Sequence, residues 1–191
     1  MFKIPYVNLS LQWKTERDEL LPIIENVLAS GQYIGGEIVE RFEKKAAEVC
    51  GTKFCVALNS GTDALVAGLV ALGVRAGDEV ITPPNSFIAS TAAIAHLRAI
   101  PKFVDVLPDQ NIDPELIKKA ITAKTKAIMP VHLTGRLAAM DEIMRIADSH
   151  GIPVIEDAAQ SIGSKYSNKP SGSFGKVGCF STHPLKNLNA C

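Results

Sequence analysis

Residues 53–72 read KFCVALNSGTDALVAGLVAL. Lys53 to Leu58 is a short, nearly all-apolar run of strand length. Asn59 to Asp63 is a polar turn around Gly61, and Ala64 to Leu72 is an apolar stretch that suits a helix. The unit recurs. Strands are expected at Glu79–Thr82, Lys102–Val106, Lys126–Val131 and Ile152–Glu156, and helices at Ser86–Leu97, Pro114–Ile121 and Met140–Ser149. Strands that alternate with helices need crossover connections, and strands without polar residues are buried on both faces. The pattern therefore predicts an α/β fold: a three-layer α/β/α sandwich with a mainly parallel, mixed sheet.

Outward from this block, Gln12 to Ser30 carries apolar residues at helical spacing, with Pro22 expected to kink or delay the helix and Gly31 to stop it. GQYIGG then leads to a second helix, Glu37–Cys50, closed by Gly51. The division this suggests is an N-terminal helical segment, 1–35, and a ligand-binding domain, 36–191. GQYIGG itself reads equally as a linker and as part of an active-site mouth. On the other side, Ser161 to Gly175 is rich in Ser, Gly and Lys and reads as a loop. It lacks a helical period, so the next strand, Val177–Phe180, is expected to return antiparallel. The chain stops soon after Lys186 without a closing helix, and reads as a fragment or a natural truncation.

Composition narrows the function classes. The chain has 191 residues, 47% hydrophobic, with a formal net charge of +0. Balanced charge gives no electrostatic case for nucleic acid or an anionic membrane. No apolar run is long enough to span a bilayer, and MFKIPYVNLS lacks the pattern of a signal peptide. Cys50, Cys55, Cys179 and Cys191 complete no metal-ligand set and read as free thiols of a cytoplasmic protein.

Three stretches carry candidate chemistry. In FGKVGCFSTHPLKNLNAC (174–191), an apolar strand ends in polar residues and Lys186 follows; lysine is the usual side chain for condensing with a carbonyl. Ser60-Gly61-Thr62 opens a helix directly after a run of strand character. There, backbone N–H groups bind phosphate, though an ordinary N-cap explains the same residues equally well. Asp157, in EDAAQ, stands at a strand's C-terminal end, where open α/β sheets bind ligands and a carboxylate can hold a heteroaromatic nitrogen protonated; it also reads as a turn aspartate. Phe87 is placed to stack on a planar ring or to start a core. His183 receives no catalytic role, and His96, His132 and His150 read as structural.

Together the runs GQYIGGEIVERFE, NSGTDAL, PPNSFIAST, VHLTG, EDAAQSIGS and CFSTHPLKNLNA resemble the pyridoxal 5′-phosphate (PLP) enzymes of fold type I, and within them the DegT/StrS group of nucleotide-sugar aminotransferases. The resemblance runs from about Gln32 to the C-terminus. It implies that Lys186 is the Schiff-base lysine. It further implies that Asp157 partners the pyridine nitrogen, Gln160 the ring's phenolic oxygen, Gly61, Thr62 and Ser181 the phosphate, and Phe87 the ring face. Some members of the group are dehydratases with histidine in place of this lysine, so Lys186 implies transamination. An amino acid, in this family usually glutamate, would donate to a keto group on a nucleotide-linked sugar. Members are about twice this length; their second half supplies a small C-terminal domain and contacts across a homodimer. A non-catalytic or regulatory protein on the same fold stays open beside the enzyme. A dinucleotide-binding oxidoreductase is opposed by the missing Gly-x-Gly-x-x-Gly.

Overall fold

A computed structural model describes residues 4, 5 and 7–190. Two helices open the chain, α1 (Leu9–Ser30) and α2 (Glu37–Cys50). Asn8 caps α1 by accepting the Leu11 N–H, and Gly31 closes it with φ of 68°, a left-handed conformation that glycine adopts at no steric cost. The helix runs through Pro22, and none of its residues is buried.

The expected alternation follows. It comprises α3 (Gly61–Ala71), β1 (Glu79–Thr82), α4 (Ile88–His96), β2 (Ile100–Phe103), α5 (Pro114–Ala120), β3 (Thr125–Ile128), α6 (Met140–His150) and β4 (Ile155–Asp157). Strands β2, β1 and β3 pair in that order, all parallel. Parallel bridges Ile128–Val154 and Val131–Asp157 carry the sheet on to β4.

Adjacent strand residues point to opposite faces, and the cores divide accordingly. Ile81, Ile128 and Val154 pack with Ile117, Met140, Ile143 and Ile146 of α5 and α6. Val80, Ala127, Met129 and Ile155 pack with Leu65, Leu69, Ala93 and Ile94 of α3 and α4. Each face of the sheet has its own buried helix pair, which makes three layers.

Two expectations fail. The last strand, β7 (Val177–Cys179), pairs with β4 in parallel, with Ile155, Glu156 and Asp157 opposite Val177, Gly178 and Cys179. The loop before it contains a small antiparallel hairpin, β5 (Lys165–Tyr166) and β6 (Lys169–Pro170), and is long enough to cross over without a helix. Lys53–Leu58 forms no strand, since among the described residues it pairs with none. Phe54 and Val56 are 74% and 70% exposed, and the Ala57 N–H is taken by Glu43 Oε1 rather than a ladder partner. Apolar composition gave this stretch strand character, but a strand also needs a neighbour for its N–H and C=O groups.

Candidate functional site

The C-terminal ends of β1, β4 and β7 converge with the N-termini of α3 and α4. β4 ends at Asp157, which is only 5% exposed. Its Oδ2 accepts a 2.6 Å hydrogen bond from Ser90 Oγ on α4, and its Oδ1 accepts the Ala159 N–H. Burial pushes the Asp157 carboxyl above its usual range; the bonds from Ser90 and Ala159, and the nearby His132 and Lys186, pull the other way. Two of the four acceptor sites on the two oxygens are thus filled, leaving capacity for a further donor.

Lys186 follows β7 through a turn that its neighbours shape. His183 Nδ1 accepts the Leu185 N–H and the His183 carbonyl accepts the Lys186 N–H. His183 therefore has a structural task here. The half-buried Lys186 places Nζ 5.8 Å from the Phe87 ring centroid. Phe87 is the N-cap of α4 and is 68% exposed, so it is presented to the rim rather than to the core.

At α3, Ser60 is the N-cap and accepts the Asp63 N–H. Capping and anion binding therefore do not compete for the same groups. Among the described residues, the N–H groups of Gly61 and Thr62 make no hydrogen bond. A Cβ on Gly61 would sit 2.9 Å from Ser181 Cβ and 3.2 Å from the Phe180 carbonyl oxygen. Glycine is thus what lets the start of α3 meet the end of β7. Gly61 lies against Ser181, with Thr62 next in the chain, and Lys186 lies near both Phe87 and Asp157. Gln160 follows Asp157 on the same loop, where its backbone oxygen approaches Gly135; among the described residues its side chain makes no hydrogen bond to the others. Gly31 to Gly35 are exposed and Gly36 is half-buried, and among the described residues no hydrogen bond joins this segment to the site. A cavity of about 560 Å³ between Arg136 and Lys165 is lined by none of the expected site residues.

Three residues that support the site lie inside the runs PPNSFIAST and EDAAQSIGS but receive no role from the sequence. Ser90 is fully buried and bonds Asp157. Ser86 Oγ lies 2.6 Å from Ser90 Oγ. Glu156, also fully buried, accepts from His132 Nε2 (3.1 Å) and from the N–H groups of Gly172 (2.8 Å), Phe174 (2.7 Å) and Gly175 (2.7 Å). His132 Nδ1 accepts the Ala138 N–H, so the ring proton is on Nε2, directed at Glu156. His132 is thus structural, as expected. The clues to Ser90 are its place in PPNSFIAST and a polar side chain on the otherwise apolar inner face of IASTAAIAH.

Residues 14–191 match the model of the DegT/DnrJ/EryC1/StrS aminotransferase family. The chain is 45% identical over 186 residues to the UDP-2-acetamido-2-deoxy-3-oxo-D-glucuronate aminotransferase of Pseudomonas aeruginosa, covering 97% of this chain and 52% of that protein. It is 42% identical over 188 residues to a pleiotropic regulatory protein of Geobacillus stearothermophilus, covering 98% and 50%. Among solved structures, S. venezuelae DesV superposes with a TM-score of 0.96 at 40% identity, over 100% of this chain and 52% of that one. NtdA of Bacillus subtilis, solved with bound cofactor PMP, superposes with a TM-score of 0.93 at 37% identity, over 100% and 43%. The chain spans about half the length of the curated relatives it matches.

Proposed function

This chain belongs to the DegT/DnrJ/EryC1/StrS aminotransferase family, and from that premise we propose that it forms the cofactor-binding part of a PLP-dependent sugar aminotransferase. The observation that carries the reading is the half-buried amine of Lys186, set over Phe87 on the rim that also holds buried Asp157. The donor set fits PLP. Unbonded N–H groups at a helix N-terminus suit a phosphate, an aromatic face suits a flat ring, and a buried carboxylate with spare acceptor capacity suits a ring N–H.

When bound, PLP supplies a carbonyl that amines condense with and a ring that takes up electrons from the substrate carbon. The chain's own residues supply the rest. Gly61 and Thr62 hold the phosphate through their N–H groups, with Ser181 adjacent. Asp157 holds the proton on the ring nitrogen, which keeps the ring electron-poor. Gln160 would partner the ring's phenolic oxygen, and Phe87 would lie against one ring face and keep water from it. Lys186 anchors the cofactor through Nζ. With PLP in place, the Lys186 amine would take the proton from the substrate carbon as general base and return it as general acid. The donor is an amino acid, with glutamate favoured, and the acceptor is a keto group on a nucleotide-linked sugar. Assembly as a homodimer and a cytoplasmic location belong to the same reading. The free thiols of Cys50, Cys55 and Cys179 support the latter.

The test is to load the protein with PLP, reduce with borohydride and map the modified peptide. The pyridoxyl group should be on Lys186, and Lys186→Ala should abolish it. Arginine should not rescue, because its guanidinium stays protonated. An adduct on Lys165, Lys169 or Lys176 would overturn the assignment. The Geobacillus relative's name favours a second reading, a regulatory protein that keeps the cofactor fold. Glutamate separates the two: loss of the visible cofactor band on adding it marks amino transfer, and a persistent band marks binding without turnover.

A further inference from the structure

We propose that Ser90 is a positioning residue for the cofactor's ring nitrogen, acting through Asp157, and that Ser86 polarises it from behind. The inference rests on the PLP reading above and extends it to two hydroxyls that act through Asp157.

The direction of the chain of bonds follows from donor counting. An ionised Asp157 only accepts, so the 2.6 Å contact between Ser90 Oγ and Asp157 Oδ2 uses the Ser90 proton. That proton is then unavailable to Ser86. The 2.6 Å contact between the two serines must therefore run from Ser86 O–H to Ser90 Oγ. Each donor strengthens the next, because a hydroxyl that accepts a bond becomes a better donor. The contact to Asp157 has the length of a charge-assisted O–H···O⁻ bond.

Placement favours a functional purpose over simple packing. A serine inside a helix commonly turns its hydroxyl back to a carbonyl of the preceding turn. Ser90 instead directs it across the layer to β4. It lies one turn after Phe87, so a single helical turn fixes both the aromatic face and the carboxylate's orientation. Burial alone would drive Asp157 toward its neutral form, in which it binds a protonated ring nitrogen poorly. Ser90 opposes this and leaves the carboxylate charged toward the cofactor. Titratable side chains around the carboxylate are His132, Lys186, Cys179 opposite it on β7 and the adjacent Glu156; Ser90 and the Ala159 N–H are its neutral donors.

Affinity for two cofactors tests the idea: PLP, and the analogue in which a C–H replaces the ring nitrogen. Ser90→Ala should weaken PLP by roughly tenfold, the lower end of what a hydrogen bond to a charged group contributes. It should leave the analogue's affinity within about twofold, since the analogue makes no bond to Asp157. Ser86→Ala should give a smaller loss of the same kind. General damage to the site would weaken both ligands alike, and that result, or no loss with PLP, overturns the role of Ser90. Equal PLP affinity of Ser86→Ala and the unaltered chain overturns the outer link. If the unaltered chain binds neither cofactor, the PLP reading itself falls, which is a distinguishable outcome.

Discussion

Replacing Glu156 by glutamine keeps its shape and removes a charge, and the structure allows the cost to be worked out. Both carboxylate oxygens are fully committed. Oε1 accepts from Phe174 and Gly175, and Oε2 accepts from Gly172 and His132. A carboxamide has one oxygen, so either orientation turns an NH₂ group toward two N–H donors. Two buried donors are then orphaned, and each costs about 1–3 kcal/mol. The expected loss is therefore about 2–6 kcal/mol, a large part of a typical domain's stability. The damage should centre on 171–175, the segment that threads toward β7. Urea unfolding followed by circular dichroism measures it: the midpoint should fall steeply while the slope stays near that of the unaltered chain. A loss below about 1 kcal/mol would refute the reasoning, because it would mean that water already reaches this carboxylate.

Two further outcomes follow from the pKa shifts. Burial, helped by nearby Asp157 and Glu156, pushes the Cys179 thiol up to about 12. It stays protonated in the folded protein while the unfolded chain ionises near pH 9, so stability should fall above pH 9 by up to about 1.4 kcal/mol per pH unit; Cys179→Ala should flatten that slope. In iodoacetamide labelling at pH 8, the half-exposed Cys55 should react well before Cys179. Asp157 has a raised pKa, so its folded form resists ionisation and the carboxylate lowers stability as pH climbs through that pKa. Asp157→Asn should consequently melt no lower than the unaltered chain at pH 7 by calorimetry, yet bind PLP at least tenfold more weakly, within the range of a lost charge-assisted bond. A lower melting temperature would indicate that Ser90 and Ala159 depend on the charge more than burial opposes it.

Local rules made most of this fold legible. Val80 and Ile81, neighbours in one run of EVIT, serve opposite cores, and an apolar strand with helices on both sides predicts that. The direction of β7 was hidden because the rule linking crossover to helix failed. The 161–175 segment crosses with a hairpin, held by a glutamate whose four partners are invisible in a string of letters. Lys53–Leu58 misleads for the converse reason, since its composition suits a strand while pairing is a property of neighbours. At the site, Lys186, Asp157, Gly61 and Phe87 could be named because motifs expose them, and the structure brings their elements to one rim. Ser90 could not, because its meaning depends on a residue 67 positions away.

The hairpin that replaces a crossover helix has a practical use. Lys165 pairs with Pro170 and Tyr166 with Lys169, so the tip is the two residues Ser167 and Asn168, both left-handed at φ of 49° and 64°. Such a two-residue tip matches the twist of its arms. It is exposed, bears none of the site residues, and is anchored beneath by Tyr166 packed edge-on against Phe174. It is therefore a docking port for engineering. A peptide tag or fluorophore spliced between Ser167 and Asn168 would add a flexible loop at small entropic cost. The β4–β7 pairing on which the rim depends would be left in register, and the label would stand on the segment that connects those two strands.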